Sequence, residues 1–274
     1  MAERLLSLTD RGLIALKGED ARKFLQDLVT ADVAALAEGE ASYAALLTPQ
    51  GKILFDFFII REAKGYLIDC LLEQREELAK RLKFYRLRAK LDIIMDERAI
   101  AWLPEGSMMS AIADPRTRNM GARLYGAEGS MEDGVRLYHE RRIELGLAEG
   151  GHDFGAAELF PHEANFDQIG AVSFTKGCFV GQEVVSRMEH RGTARSRIVP
   201  VLIEGALPPR GTPVTAGGKT MGSMCSGAGA RGLALLRLDR LEEALSQGVP
   251  VRAGQSPIFP MKAPWARYNL PAFG

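Results

Sequence analysis

Cysteine is scarce in this chain: its 274 residues hold only Cys70, Cys178 and Cys225, far apart and without a C-x-x-C pair. An odd, dispersed set excludes a disulfide framework and fits a reducing compartment. Nor can three scattered thiols supply the four thiolates of an ordinary iron–sulfur cluster. The histidines His139, His152, His162 and His190 show neither the H-E-x-x-H pattern nor finger-type spacing, so no preformed metal site is expected. Net charge is absent as well, with 35 basic residues balancing 35 acidic ones, which argues against a dedicated nucleic-acid binder. No apolar run approaches a membrane span, and Met1-Ala2-Glu3-Arg4 leads into a strand-like segment without an apolar signal core. A cytoplasmic protein with no membrane association is the expectation. What remains, 46% hydrophobic and 26% charged residues, is ordinary globular composition at a length that suits two domains.

Strand and helix signals alternate in the first part of the chain. Leu13 to Leu16 is apolar, Gly18-Glu19-Asp20 precedes a helical pattern through Phe24, Leu25 and Leu28, and Tyr43 to Leu47 is extended. The turn Thr48-Pro49-Gln50-Gly51 is followed by two apolar runs, Ile53 to Ile60 and Tyr66 to Leu72, which predict buried antiparallel strands. Glu73 to about Lys90 reads as a charged helix with Leu78, Leu82 and Tyr85 on one face, and Ile93 to Met95 and Ala99 to Leu103 as further strands. A composition break at Leu103-Pro104-Glu105-Gly106 suggests a subdomain boundary near residue 105. The tail after Arg191-Gly192 reads as a small all-β module of short strands punctuated by glycine and proline.

Three features carry chemistry. The first is the loop Lys176-Gly177-Cys178-Phe179-Val180-Gly181-Gln182-Glu183, where Val184, Val185 and Met188 recur at helical spacing behind the glycine. Such a loop delivers Cys178 close to a helix N-terminus, where partial positive charge favours a thiolate, and Lys176 acts in the same direction; the bland alternative is a small buried hydrophobe. The second is Asp56, a carboxylate in an otherwise apolar strand, which must face a cavity, own a partner or lie on an exposed face. The third is the run Lys80, Arg81, Lys83, Arg86, Arg88 and Lys90, either a solvated helix face or a grip for a polyglutamate tail, an acidic partner or an RNA backbone.

The segments Phe160-Pro161-His162-Glu163-Ala164-Asn165-Phe166-Asp167 and Val172-Ser173-Phe174-Thr175-Lys176-Gly177-Cys178-Phe179-Val180-Gly181-Gln182-Glu183, with Arg187 and Arg191-Gly192, resemble the YgfZ-type folate-binding proteins. Those are relatives of the glycine cleavage T-protein, a tetrahydrofolate-dependent aminomethyltransferase. Phe24 to Val33, Thr48 to Ile53, Arg142-Ile143-Glu144-Leu145-Gly146 and Gly222-Ser223-Met224-Cys225-Ser226 fit the same superfamily. The resemblance implies an α+β fold of two intertwined α+β subdomains over residues 1–195, followed by a C-terminal β-barrel over 196–274. It implies tetrahydrofolate as ligand and a role in assembling or maintaining iron–sulfur clusters, with client or assembly proteins as partners.

By the same resemblance Glu144 is the pterin acceptor, since adjacent N–H and amino donors suit a carboxylate; without it, Glu144 is a solvated residue in a charged run. Asn165 and Arg187 are expected to shape the folate site. Asp56 stands where the T-protein has adjacent aspartates, but here the pair reads Phe55-Asp56. One carboxylate with an added thiol loop favours an accessory protein in which Cys178, tuned by Lys176, makes a thiolate contact, with Asp56 at the folate able to assist proton movement at a folate nitrogen. The competing reading is a folate-dependent aminomethyl or methyl transferase that uses Asp56, and an RNA-modification role is the third. Cys70 and Cys225 are expected to fill core space.

Overall fold

A computed structural model describes residues 4–105, 108–192 and 194–270. In chain order the elements are β1 (Leu6–Ser7), β2 (Arg11–Lys17), α1 (Ala21–Leu28), β3 (Ala41–Leu47), β4 (Ile53–Glu62), β5 (Gly65–Leu71), α2 (Arg75–Arg86), β6 (Asp92–Asp96), β7 (Ile100–Leu103), β8 (Ile112–Ala113), β9 (Ala122–Tyr125) and α3 (Gly134–Glu144). After a long connection come α4 (Gln182–Arg191), β10 (Ser196–Ile203), β11 (Pro213–Ala216), β12 (Lys219–Ala228), β13 (Arg231–Arg237), α5 (Leu238–Ser246), β14 (Val251–Ala253) and β15 (Ser256–Pro260). They form two compact units. The first runs up to Tyr138 and takes in Ile169–Val184; the second comprises His139–Gln168 and the chain from Val185 onward.

The first unit is built on an antiparallel sheet of order β3-β4-β5-β2-β6. Strand alternation sends Phe55, Phe57 and Ile59 of β4 to one face, where Phe24, Leu25 and Leu28 of α1 and Leu78 and Leu82 of α2 cover them. Asp56 and Phe58 point to the other face. A second sheet, of order β1-β7-β9-β8, holds elements from both sides of residue 105. Helix α2 stops at Leu87, which adopts φ 46°, so the charged helix is shorter than its composition suggests.

On the second face of the larger sheet the side chains are polar, aromatic and buried. Asp69 accepts from Arg11 Nε at 2.7 Å and from Arg123 Nη1 at 2.6 Å, and Tyr125 donates to it at 3.1 Å. The Arg123 guanidinium lies 3.9 Å from the Phe58 ring centroid, and that of Arg116 lies 4.9 Å from Tyr43. Register explains the meeting: Phe58 sits opposite Tyr43 on one side and Asp69 on the other.

The second unit carries a closed antiparallel barrel, β10-β13-β12-β11-β14-β15, filled by Val199, Val214, Met224, Leu236 and Ile258 among others. The tail is not all-β. Helix α5 follows β13 directly and packs Leu241 and Ala244 into the barrel core, a spacing of three that period-two reading passes over.

Asp69→Ala removes the carboxylate that pairs two buried guanidiniums, so it is expected to lower unfolding free energy in urea by about 3–5 kcal/mol.

Candidate functional site

The thiol loop is held by one edge of the first unit. The Lys176 ammonium, itself buried, donates to the carbonyls of Val29 at 2.7 Å and Ala31 at 2.8 Å. Burial pulls this group down to about 8, with Asp32 and Asp27 opposing. Between the two carbonyls stands Thr30. Its backbone N–H donates to Ala45 O at 3.0 Å and its carbonyl accepts from Ser173 N at 2.9 Å, while its hydroxyl accepts from Ala45 N at 2.8 Å and donates to Ala171 O at 2.7 Å. Ala45 in turn faces Asp56 across β3 and β4. The strip Val29-Thr30-Ala31, right after α1, thus ties the thiol loop to the strand pair that bears Asp56.

At the other end the loop is seated by two glycines. Gly181, at φ 80°, lies so close to the Thr48-Pro49-Gln50-Gly51 turn that an added Cβ would sit 2.6 Å from Thr48 O. Gly51, at φ 82°, faces back, and a Cβ added there would sit 2.9 Å from Val184 Cβ. Gly177 has open space around it. Helix α4 begins at Gln182, as the spacing predicted.

Cys178 is exposed, whereas Cys70 and Cys225 are buried. Burial pushes the Cys70 thiol up to about 12, partly countered by Arg11, and likewise raises that of Cys225. Both are therefore core filler rather than thiolates. Lys176, expected to act on the thiol, spends its donors on backbone carbonyls instead; the same ammonium lies 5.3 Å from the Phe179 ring. Asp56 is buried and accepts from the Tyr43 hydroxyl, so it owns a partner.

The remaining candidates belong to the second unit. Glu144 is exposed at the end of α3 and accepts from Arg141 Nη1 at 2.8 Å. Arg142 of the same charged run is instead buried and donates to Asp153 at 2.6 Å and to Ser226 Oγ at 3.2 Å, and a Cβ on Gly146 would meet Ala263 at 3.1 Å. Asn165, at φ 63°, donates from Nδ2 to Ile198 O at 2.7 Å and accepts from Arg197 at 3.1 Å. Asp167 pairs with the same guanidinium through two bonds of 2.9 Å. Arg187 is exposed on α4. Sequence reasoning had missed Thr30, Arg142, Asp153 and Arg197 as organisers; Thr30, Arg142 and Ser226 lie in motif segments, while Asp153 and Arg197 lie outside them.

Residues 5–149 match the GCVT N-terminal domain and residues 195–268 the CAF17 C-terminal beta-barrel domain. The chain is 33% identical to the mitochondrial iron-sulfur cluster assembly factor IBA57 of Homo sapiens, over 91% of this chain and 83% of that protein. It belongs to the IBA57/CAF17 family. The IBA57 homologue of Pyricularia oryzae, also named mitochondrial, is 32% identical over 91% of this chain and 76% of its own length. The fold matches that of the glycine cleavage system aminomethyltransferase T from Bartonella henselae, with a TM-score of 0.72 at 17% identity, covering 98% of this chain and 87% of that one. The aminomethyltransferase-like fold with a C-terminal barrel, read from the motifs, is thereby established. The cytoplasmic placement is not: these IBA57-family relatives are mitochondrial proteins. Balanced charge and unpaired cysteines fit any reducing compartment and do not tell one from another.

Gly181→Ala is expected to destabilise the protein by about 1–3 kcal/mol, through left-handed backbone strain and the clash with Thr48. Gly177→Ala should leave the thermal midpoint followed by circular dichroism unchanged.

Proposed function

We propose that this protein is an accessory factor for the assembly or maintenance of iron–sulfur clusters in client enzymes, and that Cys178 is its contact to a cluster or a partner thiol. The observation that carries this reading is the contrast among the three thiols within a family of assembly factors: one exposed on an anchored loop, two buried. A thiolate is the natural ligand for iron in such clusters, and a single one leaves the other ligand positions to a partner. Lys176 serves as a positioning residue, holding the loop through Val29 and Ala31.

Tetrahydrofolate is the proposed ligand, supported by the GCVT domain and by the chemistry of Glu144. Its pairing with Arg141 is half-exposed, and such pairs contribute only about 0–1 kcal/mol, so the carboxylate can be turned over to a pterin at little cost. Arg187 offers an exposed cation for a carboxylate of the folate tail. Asn165, with both ends of its amide engaged, contributes by holding its segment in place. The burial of Asp56 beneath Tyr43 supports the accessory role over aminomethyl transfer, since a proton-moving group must reach its substrate.

In cells lacking the protein, Cys178→Ala is expected to bind tetrahydrofolate like wild type yet fail to restore iron–sulfur client activity; full restoration would contradict the reading. Glu144→Gln should weaken tetrahydrofolate binding roughly tenfold to hundredfold in a calorimetric titration, the loss of about 1.5–3 kcal/mol carried by a charged hydrogen bond.

A further inference from the structure

Beside the thiol loop, within the first unit, lies an apolar groove of about 450 Å³. Its floor is Phe24 and Leu28 of α1, Tyr85 of α2, Leu87 and Val180, the last only two residues beyond Cys178. Its rim is basic. Arg86 and Arg88 line it and are exposed; Arg88 makes no ion pair among the described residues, Arg86 reaches only a backbone carbonyl, and the third lining cation, Lys23, pairs with Asp27. Two apolar side chains stand out beside these cations: Phe84 is 70% exposed and Leu87 is 87% exposed.

Leu87 is the most informative of them. A leucine at φ 46°, ψ −108° is strained by about 1–3 kcal/mol, and here the strain projects an apolar side chain into water. Neither local packing nor solvation favours that arrangement. A cationic last turn is ordinary helix-end electrostatics, but it does not account for Phe84 and Leu87. The groove wall also carries the carboxylates of Asp20 and Asp27, Asp20 accepting from Lys90 N at 2.7 Å and Asp27 pairing with Lys23. Carboxylates inside the groove repel a phosphate backbone or an anionic headgroup seated there. A peptide carrying apolar anchors for the floor and carboxylates for the rim meets both requirements.

We propose that this groove is the docking site for an acidic segment of a partner protein, whose apolar side chains enter between α1 and Leu87 while its carboxylates meet Arg86 and Arg88. It rests on the accessory role for the partner's identity, because a protein bound there lies alongside the loop that presents Cys178. The groove's own chemistry is independent of the thiol.

The test is fluorescence anisotropy with a labelled synthetic peptide of repeated Glu-Leu-Glu-Phe units, with a single-stranded RNA and phosphatidylserine vesicles as competing probes. The full chain is expected to bind the peptide in preference to both. Arg86→Glu with Arg88→Glu should weaken peptide binding at least about tenfold, the scale of a lost interface charge contact, while Cys178→Ala leaves it unchanged. Leu87→Gly separates function from folding: relief of the left-handed strain should raise the thermal midpoint while peptide affinity falls. Preference for RNA or vesicles, peptide binding indifferent to these substitutions, or Leu87→Gly lowering the thermal midpoint would overturn the proposal. If Arg86→Glu with Arg88→Glu restores client activity and Cys178→Ala does not, the groove fails and the thiol's role stands.

Discussion

The placement of Cys178 depends on one buried ammonium. Lys176 bridges the carbonyls of Val29 and Ala31 and so fixes a loop that has little regular hydrogen bonding of its own. A lysine is taken out of water only where acceptors replace its hydration, and the two carbonyls flanking Thr30 do so here. Thr30 completes the clamp by binding the loop with its carbonyl and hydroxyl and β3 with its N–H and the same hydroxyl. Gly181 and Gly51 close the other end by backbone contact that no side chain would permit. Cys178 is left exposed between two fixed ends, which is what a contact residue for a second protein needs.

Elsewhere, motif residues that look like chemistry turn out to hold the fold. Arg142 is buried on Asp153 and Ser226, joining two sequence-distant motif segments within the second unit. Asn165 and Asp167 converge on Arg197. In the first unit Asp69, Arg11 and Arg123 form a buried charge network over Phe58. Such networks add little net stability over apolar packing, yet breaking one partner is costly, so they act to specify a single arrangement. Glu144, Arg187 and Cys178, by contrast, are exposed.

Much of this was legible in the residues, because it rests on local pattern. Continuous apolar runs located β4 and β5, the 3.6-residue stripe located α1 and α4, and the motif segments led to the fold and the family. For Asp56 the apolar strand left a cavity, a partner or an exposed face open, and the Tyr43 hydroxyl is its partner. Long-range pairing was not legible: nothing local says that Asp69 meets Arg123, or that Lys176 turns from Cys178 to carbonyls lying 145 and 147 residues earlier. Helix α5 was passed over because its short apolar stripe sits between strands and glycine turns. The compartment was misread because composition reports redox conditions, not an address.

The central claim is that the clamped loop presents Cys178 while the core shields the other thiols. Titration of the native protein with Ellman's reagent tests it most directly. One thiol should react rapidly, that reaction should vanish in Cys178→Ala, and Cys70 and Cys225 should react only after denaturation. A Cys178 that reacts no faster than the two buried cysteines would contradict the account.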